Sequence, residues 1–183
     1  MQFLLFILTF AAAAAAVPVY LAIRTTCYSG VYVIGARGSE EAAGYGSVAS
    51  VVSGVLAAIP NSRGIALDYP ASVLDPLYDD FVTGGINTLI SLVESYASSC
   101  SGNIVLVSFS QGANVITDAL AGGVLKPTPL SASYASHISA ITVYGDLTFT
   151  HGQSFDAGTD TGTDGEVPTW GTDAVDFIIS KST

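Results

Sequence analysis

The run Ile104-Val105-Leu106-Val107-Ser108-Phe109 is almost continuously apolar. A strand with one solvated face alternates apolar and polar residues, whereas an unbroken apolar strand fits a parallel sheet covered by helices on both faces. The rest of the chain agrees with that arrangement. Gly30 to Gly35 reads as a first strand, Gly64 to Asp68 as a short second one and Ile138 to Tyr144 as a fourth. Between the first two, Val48, Val51, Val52, Val55, Leu56 and Ile59 recur at helical spacing until Pro60 stops them. Ile86, Leu89, Ile90, Val93 and Ala97 form a second such stripe, closed by the turn Ser101-Gly102-Asn103. Gly112 to Leu120 and Asp173 to Ser180 read as further helices, and residues 150–166, rich in Gly, Asp and Thr, have no period and read as loop. Strand-length runs alternating with helical stripes predict an α/β fold, a three-layer α/β/α sandwich around a parallel sheet.

At 183 residues, half of them apolar, the chain suits one domain. Fifteen acidic residues against five Lys and Arg give a formal charge of −10, and the basic residues do not cluster. Nothing is present to neutralise phosphates, so a nucleic-acid partner is excluded. From Met1 to Ile23 there is no charged side chain, and the apolar stretch Phe3 to Phe10 leads into Ala11 to Ala16. Residues 1–16 therefore read as a signal peptide and 17–183 as the domain of a secreted protein. An uncleaved membrane anchor is the competing reading, because about 20 uncharged residues can span a bilayer. Cys27 and Cys100 are the only cysteines. In an oxidising compartment they are expected to form a disulfide, worth roughly 4 kcal/mol for a loop of that size, with two buried free thiols as the alternative. No residues show metal-ligand spacing or a phosphate-binding glycine loop, so neither metal nor cofactor is expected.

Ser108-Phe109-Ser110-Gln111-Gly112 stands between the buried strand and the next helix. A tight strand-to-helix turn lifts one serine above the sheet and aims a helix N-terminus at a developing oxyanion, which is the logic of the nucleophile elbow. Gly112 lets strand and helix approach, and Ser108 stands where the usual pattern has glycine. The second signal, Gly35-Ala36-Arg37-Gly38-Ser39-Glu40, ends the first strand at the edge where sites of open α/β sheets collect. Ser39 there can offer an amide and a hydroxyl beside the amide of Gln111. Taken alone, Arg37-Gly38-Ser39-Glu40 has the composition of a solvated turn.

Together with Gly44-Tyr45-Gly46-Ser47, Tyr69-Pro70-Ala71 and the stretch from Gly145-Asp146 to Gly158-Thr159, these segments resemble the fungal cutinase and acetylxylan esterase family. The acetylxylan esterase branch is the nearer. The resemblance runs from about Cys27 to Thr159 and resumes near Trp170 to Ser180. It implies an α/β-hydrolase-like fold of cutinase type, Ser110 as nucleophile, Ser39 and Gln111 as oxyanion hole, and a Cys27 to Cys100 bridge. It further implies a monomeric, secreted serine esterase that needs no cofactor and no membrane partner. Its substrates would be acetyl or short-acyl esters of a plant cell-wall polysaccharide or polyester.

The family's pattern continues with an edge strand, a cysteine-flanked loop carrying a catalytic Asp, and a catalytic His before the last helix. Here only ten residues separate Thr159 from Trp170, including Asp160, Asp164 and Glu166 but no His or Cys. One edge strand is accordingly expected to be missing. Of the two histidines, His137 precedes a strand and so belongs to the edge opposite Ser110. His151 follows Gly145-Asp146 at the correct edge and is the candidate substitute base, against a plain reading as a solvated loop residue. Losing the base of a serine triad costs about 10⁴ to 10⁶ in turnover, with roughly 10³ to 10⁴ over water left from the oxyanion hole and binding. A catalytically silent family member, or a transcript that has skipped a segment near Gly165 and Glu166, is the alternative reading.

Overall fold

The computed structural model describes residues 25–74, 77–146 and 172–182. Four strands, β1 (Val31–Ala36), β2 (Arg63–Ala66), β3 (Asn103–Phe109) and β4 (Ile138–Tyr144), form one sheet in the order β2-β1-β3-β4. Every pairing is parallel. Five helices accompany them: α1 (Ala49–Ala58), α2 (Tyr78–Ala97), α3 (Gln111–Ala121), the single turn α4 (Ala132–Ala135) and α5 (Thr172–Ser182).

Strand alternation sorts the core into two halves. Val31, Val33, Val105 and Val107 face α1 and α5, where they meet Val51, Val52, Val55 and Ile178. Ile34, Ala36, Ile104 and Leu106 face α2 and α3, where they meet Ile86, Leu89, Val93, Val115 and Ile116. Both faces of β1 and β3 are buried along most of their length, with Tyr32 and Phe109 partly buried and Asn103, at the start of β3, exposed. The result is the expected α/β/α sandwich.

The connections fix where a site can form. From β1 the chain crosses by α1 to β2 on one side, and then by α2 to β3 on the other. The strand order reverses between β1 and β3, whose ladder runs in register from Val31 opposite Asn103 to Ala36 opposite Ser108. A crevice at the C-terminal ends of two such strands is the usual ligand position in open α/β sheets. At the other end of the sheet, a disulfide joins Cys27 to Cys100 across a Cα separation of 5.4 Å.

Several boundaries differ from the expectation for physical reasons. β2 ends at Ala66 instead of Asp68, although Leu67 still donates its amide to the Gly35 carbonyl at 2.8 Å. α1 starts after a 3₁₀ turn at Gly46–Val48, so Val48 packs from outside the helix, and Ile59 is already extended ahead of Pro60. α3 starts at Gln111, one residue before the predicted Gly112, and α5 outruns its predicted bounds at both ends. α4, only one turn long, leaves no periodic signal and was not expected. No fifth strand occurs among the described residues, and β4 is an edge of the described sheet. Residues 1–24, with the signal-peptide reading, lie outside the described residues; among those described, no helix is long and apolar enough to cross a membrane.

Candidate active site at the switch point

Ser110 occupies the bend between β3 and α3 with φ 52° and ψ −119°. That conformation belongs to glycine, so the serine is strained. Its surroundings hold it there. The Ser110 amide donates to the Tyr144 carbonyl at 2.8 Å, and its own carbonyl accepts from Ala113 at 2.8 Å and Asn114 at 3.2 Å. Because the strain costs on the order of 1–3 kcal/mol and glycine's extra unfolded freedom offsets 0.5–1 of it, Ser110→Gly is expected to stabilise the fold by about 1 kcal/mol in urea denaturation.

Glycine at 112 is a packing requirement: a Cβ there would stand 2.5 Å from the Ala36 carbonyl oxygen and 2.6 Å from that of Arg37. The helix start is thereby pressed onto the end of β1. Ser108, at the usual glycine position, is fully buried and donates its hydroxyl to the Thr142 carbonyl at 3.4 Å. Its polar group is satisfied within the sheet, which explains why the departure from glycine is tolerated.

The loop after β1 abuts this bend. A Cβ on Gly38 would lie 2.7 Å from the Phe109 ring and 3.3 Å from the Ser110 Cβ. Next to it, the Ser39 hydroxyl donates to the Gln111 side-chain oxygen at 3.3 Å. The Gln111 side-chain amide donates in turn to the Ser72 carbonyl at 2.9 Å, and the whole residue is buried. As the first residue of α3, Gln111 has a backbone amide with no intrahelical acceptor, at the positive end of the helix. The structure thus brings Ser39, Ser110 and Gln111 together.

Arg37 corrects the reading of this segment as a solvated turn, for it is only 6% exposed. Its guanidinium donates to the carbonyls of Glu41 (3.0 Å), Leu67 (3.3 Å) and Tyr69 (2.5 Å) and lies over the Tyr69 ring. Tyr69 answers by donating its hydroxyl to the Arg37 carbonyl at 2.5 Å. Burial pushes that hydroxyl's pKa far above the ordinary tyrosine value, so it remains a neutral donor. Glu41 accepts the Gly38 amide at 2.6 Å, the Ser47 amide at 2.9 Å and the Ser47 hydroxyl. The loop beside Ser110 is therefore fixed from both sides. Sequence reading missed Arg37, Glu41 and Tyr69 as supports because a buried arginine bonded to carbonyls has the same local sequence as an exposed turn.

Glu40 clasps the loop of residues 71–73. Its amide donates to the Ala71 carbonyl at 2.7 Å, and its carboxylate accepts the Val73 amide at 2.9 Å. The Val73 bond, followed by one from the Ser72 hydroxyl, holds the Glu40 carboxyl below its ordinary pKa. A carboxyl depressed on folding contributes stability above its unfolded pKa, about 4.3, that is lost as pH falls through the folded value. Glu40→Gln is thus expected to lower the unfolding midpoint at pH 6, and the difference from the parent should close on titration below pH 4.

Asn114, one turn into α3, accepts from the Tyr78 hydroxyl at 3.0 Å and donates to Asp146 at 3.2 Å, joining α2, α3 and the end of β4 at the same rim. His137 lies at the far rim, where its carbonyl accepts the Ile104 amide at the start of β3. His151 lies outside the described residues. No group of three or more metal-ligating side chains occurs among the described residues.

A model of the Cutinase family matches residues 27–181. The chain is 36% identical over 159 residues to acetylxylan esterase 2 of Talaromyces purpureogenus, covering 80% of this chain and 68% of that relative. It is 33% identical over 149 residues to cutinase 11 of Verticillium dahliae, covering 74% of this chain but only 50% of the relative. A solved acetylxylan esterase structure superposes with a TM-score of 0.73 at 28% identity, covering 86% of this chain and 100% of the other. The parallel sheet, the strained serine at its switch point and these matches have one common meaning: the chain belongs to the cutinase family.

Proposed function

We propose that residues 17–183 form a secreted, monomeric serine carboxylic ester hydrolase, released by removal of residues 1–16 and acting without a cofactor. The substrates are acetyl or short-acyl esters of plant polymers, acetylated xylan or cutin, in keeping with the names of its relatives. The Ser110 oxygen attacks the ester carbonyl carbon, and the resulting oxyanion lies between the amides of Ser39 and Gln111. The carbon–oxygen bond to the alcohol breaks, the alcohol leaves with the serine proton, and water hydrolyses the acyl-enzyme. The Ser39 hydroxyl, held by Gln111, stands ready as a further donor.

The observation that carries this reading is the glycine-like conformation of Ser110 with Gly38 packed against it and Ser39 bonded to the adjoining Gln111, since such strain persists where surrounding structure enforces it. The candidate base is His151. His151 follows Asp146 at the active rim by five positions, a reach of at most about 17 Å, so the chain permits His151 to serve Ser110. Without it the protein is a family member that folds and binds but turns over poorly. A fluorophosphonate probe tests the nucleophile: mass spectrometry is expected to find the adduct on Ser110. No adduct, or one on another serine, would overturn the reading.

A further inference from the structure

We propose a second, non-catalytic saccharide site at the sheet edge opposite Ser110, built on the aromatic face of Tyr28 and Tyr32. This rests on the esterified-polysaccharide reading above and adds to it a place where the polymer is held.

Three tyrosine rings lie parallel at this end of the fold. Tyr32 stacks on Tyr96 with centroids 4.4 Å apart, and Tyr28 is parallel to Tyr32 within 2° at 6.2 Å. Tyr96 is buried and rigid, and the Tyr28 amide donates to its hydroxyl at 3.3 Å. Tyr28 and Tyr32 remain partly exposed above it. Their rings line a cavity of about 170 Å³ with Thr26, Leu92 and Ser95. A second cavity of about 380 Å³ is lined by Tyr28, Ser29, Ser99, Ser101 and Asn103 together with the disulfide cysteines. Tyr28 lines both cavities, and taken together they are the two lobes of the proposed groove.

The chemistry of the lining selects the ligand. The described residues lining the two lobes include no Asp, Glu, Lys or Arg, although the protein carries a formal charge of −10. Burial raises the pKa of the Tyr32 hydroxyl against the lowering field of Arg63, so the ring keeps a neutral hydroxyl. A lining without ionic groups offers little to a charged ligand. Stacked rings offer flat, electron-rich faces to the C–H face of a pyranose, and the serine and threonine hydroxyls match its hydroxyl rim. An uncharged polysaccharide fits both. The groove borders the starts of β1 and β3, and seven residues of β3 put it about 20 Å from Ser110. Polymer held there leaves the reacting ester free to reach the serine.

The full-length protein is tested for retention on insoluble deacetylated xylan, which offers Ser110 no ester. The parent and Ser110→Ala are both expected to be retained. Tyr28→Ala, and Ser95→Asp on the exposed face of α2, are expected to lower the retained fraction at least fivefold. Their unfolding midpoints and p-nitrophenyl acetate turnover should stay at the parent's level. Absence of parental retention, retention lost with Ser110→Ala, or full retention by both groove variants would overturn the proposal. Fluorophosphonate labelling of Ser110 is read separately, so a failed saccharide site and a failed esterase reading give different results.

Discussion

Gly112→Ala is expected to lower stability by about 3 kcal/mol or more and the thermal midpoint by about 6–12 °C. The new methyl group would lie 2.5–2.7 Å from the backbone of Ala36 and Arg37, atoms that cannot swing aside as a side chain would. Relief requires α3 to retreat from the end of β1. That movement separates the Gln111 amide from Ser39 and breaks the Gln111 links to Ser39 and Ser72. Probe labelling of Ser110 should therefore fall along with stability, measured by denaturation and labelling on the same preparation.

Ser110→Ala is expected to reduce p-nitrophenyl acetate turnover to the floor of roughly 10³ to 10⁴ over water that the oxyanion donors and binding leave, with the fold intact. The parent itself should be slow. Only His137 and His151 are present to act as base, and His137 is on the wrong rim. If His151 does not serve, turnover lies about 10⁴ to 10⁶ below that of a complete serine triad. Whatever turnover rises above the floor set by the oxyanion donors and binding depends on the Ser110 oxygen forming the acyl-enzyme, and alanine removes it. His151→Ala beside Ser110→Ala apportions the effect: an equal loss assigns His151 as base, and no loss assigns the residual rate to Ser110 and its donors alone.

The large elements were legible because their signals are local. The apolar run at 104–109 required burial on both faces, and the stripes on α1 and α2 repeat often enough to define a helix face. α4 has a single turn and therefore no period to detect. Ser110 was legible for a similar reason, since the tight turn, Gly112 and the flanking strand and helix are contiguous. Its supports were not. Arg37 bonds to carbonyls 30 and 32 positions away, and Gln111 reaches Ser72 across 39. Such partners are joined only by folding and carry no local pattern. Tyr78, Asn114 and Asp146 meet in the same way, from three separate elements.

The most direct measurement is a crystal structure of the Ser110 phosphonate adduct. The phosphoryl oxygen is expected within about 2.7–3.1 Å of both the Ser39 and Gln111 amide nitrogens. An adduct whose oxygen points to solvent, or amides of residues 39 and 111 too far apart to share it, would contradict the assignment of this bend as the catalytic centre.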